Sequence, residues 1–85
     1  MNASKSVRTL AAIFEKPVRS NIRWSDIETL LRARGAVITE GAGSRVRIEL
    51  NGVRAVFHRP HPRPETDKGA IVALRRFLEE AGLTP

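Results

Sequence analysis

The chain has 85 residues, no cysteine, and 15 Lys plus Arg against 9 Asp plus Glu, a formal net charge of +6. That length holds one small domain, and burying only roughly 60% of its unfolded surface leaves no room for a deep, enclosed cofactor cavity. Without cysteine there is no disulfide framework, no thiolate metal site and no thiol redox chemistry.

Residues 6–15 space Val7, Leu10, Ala11 and Phe14 as one helical face, and Pro17 disfavours helix at Lys16, so a short amphipathic helix is expected there. Only the first few residues look loose. Ser25-Asp26-Ile27-Glu28 matches a capping box, in which hydroxyl and carboxylate satisfy backbone donors at a helix start. The helix it opens runs to about Arg34, buries Ile27, Leu30 and Leu31, and stops at Gly35.

From Ala36 to Glu40 the pattern becomes that of a strand, and Gly41-Ala42-Gly43-Ser44 is a turn with a weak resemblance to an anion nest. Arg45 to Leu50 alternates strictly, Asn51-Gly52 supplies the two positive φ angles of a type I′ turn, and Val53 to His58 returns as the partner strand. A two-residue turn sets the register at Leu50 with Val53, Glu49 with Arg54, Ile48 with Ala55, Arg47 with Val56, Val46 with Phe57 and Arg45 with His58. One face then carries Val46, Ile48, Leu50, Val53, Ala55 and Phe57, the core side. The other carries Arg45, Arg47, Glu49, Arg54, Val56 and His58, with Glu49 and Arg54 placed for a surface ion pair.

Arg59-Pro60-His61-Pro62-Arg63-Pro64 is a stiff loop, since each proline removes a donor and extends its predecessor. Thr66 or Asp67 caps a last helix that buries Ile71, Leu74, Phe77 and Leu78, exposes Arg75–Glu79 and Arg76–Glu80 as i, i+4 pairs, and ends at Gly82. Helix, three antiparallel strands and helix, with both helices on the apolar side of the sheet, make an α+β double-stranded-RNA-binding-like fold, plus an extra N-terminal helix.

Twelve of the 15 basic residues are arginine, whose planar fork matches phosphate, and residues 41–63 hold five of them with both histidines and a single glutamate. The open basic face is therefore the candidate nucleic-acid surface, the alternative being a cationic face that only keeps the sheet edges soluble. His58 and His61 can serve as general acid or base near neutral pH, with arginines to stabilise a phosphorane, while His61 can equally be a structural loop residue. Two histidines without a third clustered ligand make a poor zinc site, so neither a metal nor a small-molecule cofactor is expected. Phe14, Phe57 and Phe77 occupy core positions, which leaves no base-stacking platform, and Trp24 reads more readily as packing than as a stacking residue. Apolar stretches such as Leu10 to Phe14 are far short of the ~20 residues that span a bilayer, and Met1-Asn2-Ala3-Ser4 opens no secretory signal. The expected location is the cytoplasm, without membrane attachment.

Ser25 to Gly35, Gly43-Ser44-Arg45, His61-Pro62, Lys68-Gly69 and Ala81-Gly82-Leu83-Thr84 follow one another in an order that resembles the HicA toxins. The resemblance spans about residues 24–84 and implies an RNA-binding domain over residues 24–85, with residues 1–23 as an N-terminal extension carrying its own short helix. It further implies an mRNA interferase of a type II toxin-antitoxin system, with mRNA as substrate and a HicB-like antitoxin as partner. The family's catalytic histidine, at the start of the second strand, is here Arg45, with His58 directly opposite in the hairpin register. The resulting candidate set is His58, His61 and Arg45 for metal-independent cleavage, and Ser44, Arg45, Arg47, Arg54, Arg59, Arg63 and Lys68 for RNA contact. A non-catalytic nucleic-acid-binding or antitoxin-binding module is the alternative, because of Arg45.

Overall fold

The structure is a computed structural model that describes residues 4–85; the expectation of loose first residues falls on residues 1–3, outside the described ones. Three helices, α1 (Lys5–Ile13), α2 (Trp24–Ala33) and α3 (Lys68–Glu80), accompany strands β1 (Val37–Glu40), β2 (Arg45–Leu50) and β3 (Val53–His58). The strands form one antiparallel sheet in the order β1-β2-β3. The fold is α+β of the double-stranded-RNA-binding-like kind, with α2 packed against β1, α3 against β3, and α1 against both helices. Among the described residues no helix is long and apolar enough to cross a membrane.

The β2–β3 register matches the expected one at all six pairs. Asn51 and Gly52 take φ values of 51° and 81°, the left-handed pair that a type I′ turn requires. Val46, Ile48, Leu50 and Phe57 are buried, while Arg45, Arg47, Glu49, Arg54, Val56 and His58 are all exposed. β1 adds its own register, Val37 opposite Glu49 and Thr39 opposite Arg47, which brings Val37 and Thr39 onto the open face. The turn is tied to the far end of α3 by the Asn51 Nδ2 donor, 2.8 Å from the Ala81 carbonyl.

α2 starts differently from expectation. The backbone N–H of Trp24 donates to the Pro64 carbonyl at 3.0 Å, so the proline loop supplies the first acceptor and the helix begins one residue before Ser25. Arg23 is the N-cap and offers no side-chain bond. Ser25 is thus already helical, its carbonyl accepting from the Thr29 hydroxyl at 3.0 Å, and Glu28 turns inward instead of closing a capping box. At the other end the amide of Gly35 (φ 89°) donates to the Arg32 carbonyl and that of Ala36 to Leu31, the paired bonds of a Schellman stop.

α1 also departs from its expected face. Thr9, Leu10 and Ile13 are buried, whereas Val7 is 47% exposed. Contact with both α2 and α3 rotates the helix so that Ile13, not Val7, completes its apolar stripe. Leu10 and Ile13 belong to the same buried cluster as Ile27, Leu30, Ile48, Leu74 and Phe77, so the N-terminal helix shares the core of the domain. Asp67 caps α3, accepting from the Ala70 amide at 2.7 Å. Arg75 does not pair with Glu79. Its Nε donates to the Ile13 carbonyl at 2.5 Å and its Nη2 to the Glu15 carbonyl, satisfying orphan acceptors at the C-terminal end of α1.

Candidate functional site

The open face of the sheet is built by alternation: every second residue of three strands must leave the core, and those positions are rich in arginine. Its rows run Val37, Glu49, Arg54; then Thr39, Arg47, Val56; then Arg45, His58. Arg54 Nε lies 3.3 Å from Glu49 Oε1 on a well-exposed pair, which leaves Arg45 and Arg47 as the cations of this face that, among the described residues, have no carboxylate partner. Val37 and Val56, 62% and 56% exposed, form an apolar floor within a shallow concavity of about 400 Å³ that Thr39, Arg47 and Arg54 also line. Sequence periodicity placed Val56 here. Val37 was missed, because only the β1–β2 register decides which side of β1 faces outward.

At the open end of the hairpin several candidates converge. Arg45 and His58 are directly paired across β2 and β3, and the Ser44 carbonyl accepts from the Arg59 amide at 2.9 Å, drawing the Gly-rich turn to the end of β3. An imidazole beside a guanidinium on an exposed strand pair can exchange a proton next to a bound phosphate. His61 and Arg63 are exposed in the loop that follows, and Lys68 is exposed at the first turn of α3. Among the described residues no side-chain hydrogen bond or ion pair orients either imidazole, and no group of three or more His, Asp or Glu is arranged to hold a metal ion.

Arg59 stands apart from the other candidate cations. Its Nε lies 2.7 Å from Glu28 Oε2, its Nη2 3.3 Å from Glu28 Oε1 and its Nη1 2.5 Å from Glu40 Oε1. Glu28, 6% exposed, also accepts from the Trp24 indole and from Arg32 at 3.2 Å. Burial alone would raise the Glu28 pKa. The hydrogen bonds from Arg59 and Trp24, with the charges of Arg59 and Arg32, outweigh that and hold the carboxyl below its ordinary value. Glu40 is lowered chiefly by its bond from Arg59, and Arg59 in turn is held above the ordinary guanidinium value by Glu40 and then Glu28. The geometry makes Arg59 a clamp that fixes the end of β3, one residue after His58, to α2. Trp24, 5% exposed with its ring centroid 5.9 Å from that of Phe57, is packing and not a stacking platform.

The family model described as the HicA toxin of bacterial toxin-antitoxin matches residues 24–83. No curated protein and no solved structure gives a match.

Proposed function

We propose that this chain, which belongs to the HicA toxin family of bacterial toxin-antitoxin pairs, binds mRNA on the open sheet face, cleaves it without a metal ion, and is held in check by a HicB-like antitoxin. The observation that carries this reading is the Arg45–His58 pair, a histidine and an arginine directly opposite each other across β2 and β3 on an exposed arginine-rich face. Phosphate contacts come from Arg45 and Arg47, with Ser44, Arg54, Arg63 and Lys68 at the margins, and residues 24–85 make up the RNA-binding unit. Arg59 is assigned to the clamp and not to RNA, since three of its nitrogens already meet carboxylates.

In the reaction proposed, His58 or His61 takes the proton of a ribose 2′-OH as the 2′-oxygen attacks the adjacent phosphorus. The bond from phosphorus to the 5′-oxygen breaks, that oxygen receives a proton from an acid, and a 2′,3′-cyclic phosphate remains. Arg45 and Arg47 stabilise the charge that gathers on the phosphoryl oxygens. mRNA as substrate sets the site of action in the cytoplasm, and the +6 surface suits an acidic antitoxin.

A second reading, an RNA- or antitoxin-binding module without catalysis, is favoured by Arg45 at the position of the family histidine and because, among the described residues, no hydrogen bond or ion pair orients His58 or His61. One experiment separates the two. His58→Ala and His61→Ala proteins are assayed for RNA binding and cleavage, in chelator, on ribo- and deoxyribo-oligonucleotides. Cleavage predicts retained binding, a loss of activity by ~10² to 10⁴ in at least one variant, cyclic phosphate ends, and no product without the 2′-OH. RNA binding without cleavage in every protein leaves the binding module.

A further inference from the structure

The N-terminal segment, which the family match does not include, builds a second basic groove. Lys5 and Arg8 of α1, Arg19 of the connection and Arg23 at the α2 N-cap line a groove of about 320 Å³ together with a single carboxylate, Asp26. Lys5 Nζ lies 3.0 Å from Asp26 Oδ1. Arg19 is held in place from two sides, its Nε 2.9 Å from Asn21 Oδ1 and its Nη1 2.7 Å from Glu15 Oε2, so little side-chain freedom is lost when it meets an anion.

The groove abuts the loop that carries two of the candidate site residues. The Trp24 amide donates to the Pro64 carbonyl at 3.0 Å, the Thr66 amide donates to the Ile22 carbonyl at 2.8 Å, and Arg23 pairs with Glu65 in an antiparallel bridge. Ile22 and Thr66 are buried, so the exposed Arg23 stands on the outer side of this pairing, with Arg63 two positions before Glu65. The loop that carries His61 and Arg63 is thus joined by backbone bonds to the segment that carries Arg19 and Arg23, with Glu65 opposite Arg23 and Glu15 on Arg19 as the acidic groups along it.

We propose that residues 5–23 form a second phosphate-contacting surface, which extends the RNA track beyond the His61 loop and makes the chain grip a longer RNA than the open sheet face alone would hold. The proposal rests on the RNA-binding reading above. An acidic protein is the less suitable occupant, because among the described residues none of the exposed large apolar side chains lines the groove and a protein partner needs such an anchor. A backbone of regularly spaced phosphates needs only spaced cations.

The test is a salt-dependent binding titration of the full chain with RNAs of about 4 and about 16 nucleotides, the range of single-strand site sizes. Arg19→Ala with Arg23→Ala is expected to reduce the slope of log K against log salt for the longer RNA by about 1.4, or about 0.7 per lost contact, and to leave the shorter one unchanged. Arg23→Glu, at a cap that acts through its backbone alone, serves as the second variant should the double one unfold. An unchanged slope on the long RNA overturns the proposal, as does an equal loss on both lengths or a loss confined to binding of an acidic antitoxin. Arg45→Ala with Arg47→Ala is the control: if it too leaves both RNAs unaffected, the RNA-binding reading itself fails.

Discussion

Arg59→Met separates a structural clamp from an RNA contact, because it keeps most of the aliphatic stem while removing every donor. In the folded protein Glu28 is 6% exposed and accepts two bonds from Arg59, at 2.7 and 3.3 Å, besides those from Trp24 and Arg32. Removing one partner of a buried ion pair costs about 3–5 kcal/mol because the other charge is left uncompensated. Arg59 is itself 32% exposed and Arg32 and the indole remain on Glu28, so the cost falls below that range, to about 2 kcal/mol, that of a hydrogen bond to a charged group. For a domain of this size each kcal/mol shifts the midpoint by roughly 4–8 °C, so Tm is expected to fall by roughly 8–16 °C. Thermal unfolding followed by circular dichroism measures this, and a salt titration on RNA below the transition should give the wild-type slope. Adding Glu28→Gln to Arg59→Met should cost less than the two single losses summed, since the charge that Arg59 compensated is then gone. A variant with an unshifted Tm and a slope lower by about 0.7 would refute the clamp and return Arg59 to the RNA surface.

The same carboxylate sets a pH dependence: its folded pKa lies below the ordinary value of 4.5, so its contribution is fully present above about 4.5 and is lost as the pH falls through the folded pKa. Tm measured against pH should therefore drop more steeply below about 4.5 in the wild type than in Glu28→Gln, and parallel curves would contradict the assignment. Gly52→Val forces a β-branched residue to φ 81° in the turn, at about 1–2 kcal/mol; an unchanged Tm would mean that the turn relaxes without cost. Thr66 is 2% exposed, and among the described residues its hydroxyl finds no partner, so Thr66→Val is expected to stabilise by about 1 kcal/mol. A lowered melting temperature would show that the hydroxyl is satisfied.

The hairpin and the last helix were legible in the amino-acid sequence because the information for them is local. Strict alternation over Arg45–Leu50 and the Asn51-Gly52 turn set the hairpin register, because a two-residue connection leaves one pairing and a slip of one would turn every valine and leucine to water. The 3.6-residue period of Ile71, Leu74, Phe77 and Leu78 likewise placed the buried face of α3 without reference to any other element. Both signals lie within a few residues of what they specify. The start of α2, the use of Glu28, and the roles of Arg59 and Arg75 could not be read in this way, since each depends on a partner far along the chain. Arg59 reaches Glu28 across 31 positions and Arg75 reaches Ile13 across 62, while the Trp24 amide finds its acceptor in the proline loop. A capping box and an i, i+4 pair are worth a few tenths to about 1 kcal/mol each, and a buried carboxylate that needs cations, or carbonyls left open at a helix end, outweighs them. The face of α1 and the groove beside it were settled in the same way, by where two other helices and the Pro64 loop come to rest.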